Sequence, residues 1–168
     1  MRRILFILCV LALCSLLLTA CGKKADGELT PVKDENGATA GYERKYHNDN
    51  GDVTRWDVYD ANQQYDHYIL YEYDSNNRLA RETYYQANGI GVYYYAYSYN
   101  SSGKLAEEDY VSMKEGSTRT LYDEDGHEKE RMTYDRNDQI TKYEVYQNGT
   151  WVESALPTEA ETTTATEA

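Results

Sequence analysis

The sequence predicts an all-β protein: an antiparallel meander of about ten strands, built from Tyr-rich hairpin repeats of 12–14 residues, forming one twisted or curled sheet between disordered tails. Three observations carry this expectation. Nineteen tyrosines stand beside a single phenylalanine. Clusters of Asp, Asn and Gly recur along the middle of the chain in one frame, and such clusters reverse the backbone. No long segment shows helical periodicity.

The elements follow in order. Residues 1–20 read as a cleaved signal peptide: Arg2 and Arg3 form a charged start, and the apolar run from Ile4 to Leu18 is shorter than the roughly 20 residues that span a bilayer. Cys9 and Cys14 leave with it, so the remaining chain keeps one cysteine, Cys21, and no disulfide framework. Residues 21–41, with Gly, Lys, Asp and Pro31 and no apolar periodicity, read as a flexible tether. Residues 42–153 hold the repeat. Residues 154–168, almost all Thr, Ala and Glu with Pro157, cannot bury a core and read as a disordered tail.

Composition bounds the function. Without the first twenty residues the chain has 15 basic and 29 acidic side chains, a formal charge of −14, and only three isoleucines, six leucines and seven valines. So few aliphatics at this charge would ordinarily leave a chain disordered, and the tyrosines must supply the missing apolar area. Phosphate would repel such a chain, which argues against nucleic acid. Nothing in it reads as a cofactor site.

Within 42–153, the segments beginning at Tyr59, Tyr73, Tyr99, Tyr122 and Tyr134 share a frame: Tyr, then Asp or Asn, then a Gly, Asn or Asp four places after the Tyr in most copies. An Asp or Asn in the second place bonds the backbone ahead of it, and the fifth place accepts positive φ, as a type I turn closed by a bulge residue demands. Related turns at Asn48 to Gly51, Ala87 to Gly89, Glu115-Gly116 and Asn148-Gly149 bring the total to nine. A three-residue loop puts each leading Tyr opposite the residue six places on, so Tyr73 faces Leu79, Tyr99 faces Leu105 and Tyr134 faces Ile140, while Tyr146 faces Trp151 across a shorter loop. The intervals between turns are even. Carried along the meander, one parity places fourteen tyrosines on one face, including Tyr93, Tyr95, Tyr97 and Tyr99, and leaves Tyr68, Tyr84, Tyr94, Tyr110 and Tyr143 on the other. An open sheet of this kind leaves an aromatic face wet and its edges unpaired, so curling, closure or dimerisation is expected.

Two resemblances add to this reading. Leu18-Thr19-Ala20-Cys21 resembles the lipobox of bacterial lipoproteins, which implies that the Cys21 thiol carries a diacylglyceryl group, becomes the first residue after cleavage and anchors the protein outside the cytoplasm on the cell membrane. The strings YDSNNRL at Tyr73, YNSSGKL at Tyr99 and YDEDGHE at Tyr122 resemble the YD repeat of Rhs-type proteins, which implies β-hairpins winding into a spiralling sheet; the likeness covers residues 42 to 152, and the chain is too short for a full shell. Tyr93-Tyr94-Tyr95 before the Gly103 turn also resembles the Tyr- and Trp-rich repeats of cell-wall-binding modules, without their Gly-Trp signature.

Candidate sites are few. Trp56, Tyr84, Tyr94 and Tyr110 fall on the less tyrosine-rich face and form a candidate ligand platform on which sugar rings could stack. Asp123, Asp125 and Glu128, and Asp49 with Asp52, put hard oxygen ligands on tight turns as weak calcium candidates, against ordinary turn chemistry. Of the histidines, His47 and His127 flank turns, and a catalytic reading would need one cleft to gather His67, Glu107 and Asp109. No enzyme is expected. The expected function is a non-catalytic binding or adhesion module for a protein or glycan partner, with a self-associating structural lipoprotein, paired through its sheet edges, and a cell-wall carbohydrate-binding module as alternatives.

Overall fold

A computed structural model describes residues 27–156. The signal segment, Cys21 and the tail from residue 157 lie outside the described residues. Eleven strands run β1 (Leu29–Lys33), β2 (Thr39–His47), β3 (Val53–Tyr59), β4 (Tyr65–Tyr73), β5 (Leu79–Gln86), β6 (Gly91–Tyr99), β7 (Leu105–Ser112), β8 (Gly116–Tyr122), β9 (Glu128–Tyr134), β10 (Ile140–Gln147) and β11 (Thr150–Glu153). They form a single antiparallel sheet in chain order. Each strand packs only on its neighbours in sequence, so the meander neither closes nor folds back on itself. β1 and β11 remain as edges.

The ten strands expected between residues 42 and 153 are β2 to β11. β1 is a correction, because residues 29–33 pair with β2 inside the segment read as tether. The missed signal is a tenth turn with Lys33 in the place of the usual Tyr: the Asp34 carboxylate accepts the backbone N–H groups of Asn36 and Ala38, both at 2.9 Å. Pro31 in mid-strand suits an edge, where an absent N–H costs no ladder bond.

One bond pattern builds seven of the ten hairpins. Asp34, Asn48, Asp60, Asp74, Asn100, Asp123 and Asp135 each accept the backbone N–H groups two and four residues on, all at 2.8–3.0 Å. The residue three places after each of them takes positive φ, at Gly37, Gly51, Gln63, Asn77, Gly103, Gly126 and Asp138. Gln63 is the exception in type, since glutamine has no local bond that favours the left-handed region. Gln86 holds the same place in an eighth hairpin, where Asn88 accepts the N–H of Ile90 instead.

The four apolar pairs expected across turns all occur: Tyr73 with Leu79, Tyr99 with Leu105, Tyr134 with Ile140 and Tyr146 with Trp151. The parity carried beyond them does not. Behind the Tyr73–Leu79 pair, Glu72 pairs with Arg81, so Ala80 is an extra residue that the opposing strand does not match. The same bulge recurs at Ala40, Thr54, Asp66, Val92, Ala106, Lys129 and Thr141. Each one switches the face on which the following residues fall. In place of the expected fourteen and five, Tyr71, Tyr73, Tyr84, Tyr93, Tyr95, Tyr97, Tyr99, Tyr110, Tyr122 and Tyr146 share one face, here the front, and the other nine tyrosines share the back.

No described side chain is fully buried, and Tyr143, 9% exposed, is the best covered of the described hydrophobic ones. The best-covered residues are instead Asp57, Thr83, Thr120 and Glu144. A single layer explains this: cover comes from the flanking strands, and long neighbours such as Arg55 over Asp57 and Arg131 over Glu144 fold across shorter ones. Two tyrosine hydroxyls add ties across the sheet, Tyr73 to the Val53 carbonyl and Tyr99 to the Leu79 carbonyl, both at 2.8 Å.

Candidate functional site

Register places Lys45, Trp56, Ile69, Tyr84, Tyr93 and Ser112 in one row across the front of β2 to β7. A second row, Tyr71, Glu82, Tyr95 and Tyr110, runs beside it. A third continues with Tyr97, Glu108 and Thr120. The rings form a continuous tract: His67 stacks on Tyr84 at 4.7 Å, Tyr84 on Tyr93 at 5.1 Å, and Tyr93 and Tyr95 both meet Tyr110, at 5.7 and 5.2 Å. Tyr95 then stacks on Tyr97 at 6.4 Å. None of the described residues forms a layer over this surface, and every one of these rings is partly exposed.

The structure thus brings three of the four platform candidates, Trp56, Tyr84 and Tyr110, onto one face. It separates the fourth: Tyr94 lies on the back, with the Arg81 guanidinium 3.7 Å over its ring. Tyr93, Tyr95 and Tyr97, expected on the face opposite Tyr84 and Tyr110, join them on the front. Two bulges are the reason: the extra residue Val92 turns Tyr93, Tyr95 and Tyr97 to the side of Tyr84, and the extra residue Ala106 brings Tyr110 to that same side. Ring orientation also differs from a sugar platform. Tyr84 is flanked on its two sides by His67 and Tyr93, tilted by 29° and 9°, so the neighbours occupy its π faces and the tract presents ring edges and hydroxyls.

Charge on the front is uneven. Lys45 pairs with Glu43 at 3.1 Å and lies 4.8 Å over Trp56. Arg131 and Lys142 both pair with Glu144, at 2.8 and 2.7 Å, and Arg131 also covers Trp151. Glu82 accepts the Tyr97 hydroxyl at 2.9 Å. Burial, then that bond and the Glu82 charge, push the Tyr97 phenol far above its ordinary range, and burial followed by Glu82 pushes Tyr71 up to about 12. The Glu108 carboxyl is raised first by burial and then by Glu128 and Glu82.

The back face is a counterpart with its charges matched. Tyr59, Tyr65, Tyr68 and Tyr85 form a ring row with spacings of 5.2, 6.2 and 4.8 Å. Arg55 lies 4.3 Å over Tyr68 and bonds Asp57 at 2.6 Å. Arg119 bonds Asp109 at 2.8 Å and Glu107 at 3.1 Å, and borders a shallow recess of about 290 Å³ with Tyr94, Val111, Ser117 and Tyr134. Glu107 and Asp109 share this face as expected, but His67 stands on the front, so the three residues of the catalytic reading do not meet.

The calcium candidates do not converge either. One Asp123 oxygen serves the turn's N–H groups, Asp125 pairs with Lys104 at 2.6 Å, and Glu128 points from the front of β9. Among the described residues no group of three or more His, Cys, Asp or Glu could hold a metal ion. No family model matches the chain, and no curated protein matches it.

Proposed function

We propose that the chain is a bacterial lipoprotein, held outside the cytoplasm by a diacylglyceryl group on Cys21, whose YD-like repeats form a non-catalytic module that binds a protein partner on the front face. The observation that carries the reading is the aromatic tract from His67 through Tyr84, Tyr93, Tyr95 and Tyr110, left without a covering layer by the described residues. Surfaces of this composition are what protein interfaces use: tyrosines give large contact area at small entropic cost. A protein fits better than a sugar because the ring faces already stack on each other while the hydroxyl edges remain outward.

The test is capture of envelope proteins on the immobilised chain, followed by their identification. Tyr84→Ala with Tyr93→Ala on the front should abolish capture of a specific protein that Tyr94→Ala on the back leaves unchanged. Specific retention on purified peptidoglycan or another polysaccharide, with no protein captured, would turn the reading to a glycan module. Radiolabelled palmitate entering the wild type but not Cys21→Ser supports the anchor. Self-association is a second reading, favoured by the unpaired edge of β11, where Val152 is 45% exposed; light scattering tests it.

A further inference from the structure

We propose that the partner docks through a Lys- or Arg-bearing polypeptide segment laid across the front face, its cations meeting the carboxylates of Glu82, Glu108 and Glu128 beside the rings of Tyr95, Tyr97 and Tyr122. The inference rests on the front face being the binding surface and adds the chemistry of what binds there.

Register puts the three carboxylates on alternate strands, β5, β7 and β9, with Tyr95 and Tyr97 on β6 and Tyr122 on β8 between them. Each step crosses two strands and moves two residues along, about 12 Å from one carboxylate-bearing position to the next. An extended segment covers that distance in about four residues, which keeps its long cationic side chains in reach.

No salt bridge among the described residues reaches any of the three. Front-face cations are spent elsewhere, Lys45 on Glu43, and Arg131 and Lys142 on Glu144. The back face shows that this is not the general condition of the molecule. There an arginine fills the place between tyrosine and carboxylate, Arg55 between Tyr68 and Asp57, and another, Arg119, joins Asp109 and Glu107. The front repeats the alternation of ring and carboxylate, but its guanidinia, Arg131 over Trp151 and Arg78 over Tyr99, are paired with Glu144 and Asp74, and none pairs with Glu82, Glu108 or Glu128. Glu82 and Glu128 in turn repel the partly buried Glu108 charge, a cost that an incoming cation relieves. The rings offer cation–π contact to the charged head and apolar cover to the stem.

Fluorescence anisotropy of a labelled oligolysine peptide with the full-length chain in neutral detergent tests the inference. Glu82→Gln, Glu108→Gln and Glu128→Gln together should weaken binding at least tenfold. A control with the same charge change on exposed turns, Glu35→Gln, Glu115→Gln and Glu124→Gln, should change it less than twofold. Equal losses in the two triple variants would reduce the effect to net charge and overturn the inference, as would no oligolysine binding by the wild type. Circular dichroism of each variant separates lost binding from lost fold. If the front-face tyrosine variants abolish capture of the native protein while the front carboxylate variant retains it, the docking chemistry is wrong and the binding face stands. If the tyrosine variants also retain it, the function reading itself fails.

Discussion

Replacing Asn100 isolates the contribution of the turn frame, because this copy uses an uncharged side chain. Its Oδ1 accepts the N–H groups of Ser102 and Lys104, both at 3.0 Å, and the Ser102 hydroxyl at 2.7 Å, while its Nδ2 donates to the Glu124 carbonyl of the adjacent turn at 3.1 Å. At a turn that water reaches, each bond contributes near the low end of the usual range, about 0.5 kcal/mol, so Asn100→Ala should cost about 2 kcal/mol. Asn100→Asp keeps all three accepted bonds and loses only the donated one, at a cost of about 0.5 kcal/mol. Urea unfolding resolves the two, since at about 1.5 kcal/mol per molar the alanine variant moves the midpoint down by about 1.3 M and the aspartate variant by about a quarter of that. Equal midpoint shifts in the two variants would refute the reasoning, because the accepted bonds would then carry nothing.

Three further outcomes follow from the same frame. Gln63→Gly should raise the urea midpoint, by about 0.5–1 kcal/mol of stability, because Gln63 holds φ at 62° where a glycine does so without a Cβ penalty; an unchanged or lowered midpoint would refute the strain assigned there. Deleting Ala80 should leave the sheet folded with every face as before, since Leu79 and Arg81 already lie on opposite sides, whereas deleting Thr83 from regular strand should unfold it; far-ultraviolet circular dichroism compares them, and equal damage would mean that the bulge is not an independent insertion. Alkali should unfold the protein between pH 10 and about 12. Tyr65 and Tyr71 are both raised from 10.0 to about 12, chiefly by burial, so their contribution is complete below the unfolded value and lost as pH rises through the folded one. Tyrosinate absorbance and sheet signal should change together, and a sheet signal that persists after all the phenols have ionised would contradict the shifts.

Turns were legible because their chemistry is local. An Asp or Asn that bonds the backbone two and four residues ahead stands at seven positions in the chain; six of them, with the glycine-bearing turns at Ala87 to Gly89, Glu115-Gly116 and Asn148-Gly149, locate nine of the ten hairpins. Asp34 escapes because Lys33 replaces the leading tyrosine in a segment without apolar periodicity. Cross-turn partners were legible for the same reason, since the loop length fixes them. What could not be read was the face of each tyrosine. Ala80, Asp66, Val92 and Lys129 occupy the same bulged place with nothing in common as side chains, because a bulge is a count of backbone residues rather than a preference for one type. The usual remedy, matching apolar residues to a buried face, fails where neither face is buried. Hence even spacing alone puts Tyr84 and Tyr110 on one face with Trp56, as the register does, but it also puts Tyr94 there, which lies on the back, and sets Tyr93 and Tyr95, which complete the tract, opposite.

The bulges also account for a single layer that needs no second. Successive hairpins turn at opposite ends of the sheet, and the extra residue in eight of the ten switches parity once, so Tyr73, Tyr99, Tyr122 and Tyr146 lead their turns from the front at one end while Tyr59, Tyr85 and Tyr134 lead theirs from the back at the other. Without the switch, tyrosines spaced at even intervals would collect on one side and make a face apolar enough to demand closure or stacking. With it they divide almost evenly, and each face keeps a ring row bordered by charges. Tyrosine rather than phenylalanine suits this arrangement because the ring packs along the sheet while the hydroxyl finds a partner or water, as Tyr73 and Tyr99 do in reaching carbonyls twenty residues back. The two faces then differ along β5 to β9: there the back joins its carboxylates Asp109 and Glu107 through Arg119, and the front leaves Glu82, Glu108 and Glu128 without an ion-pair partner among the described residues, to be met from outside.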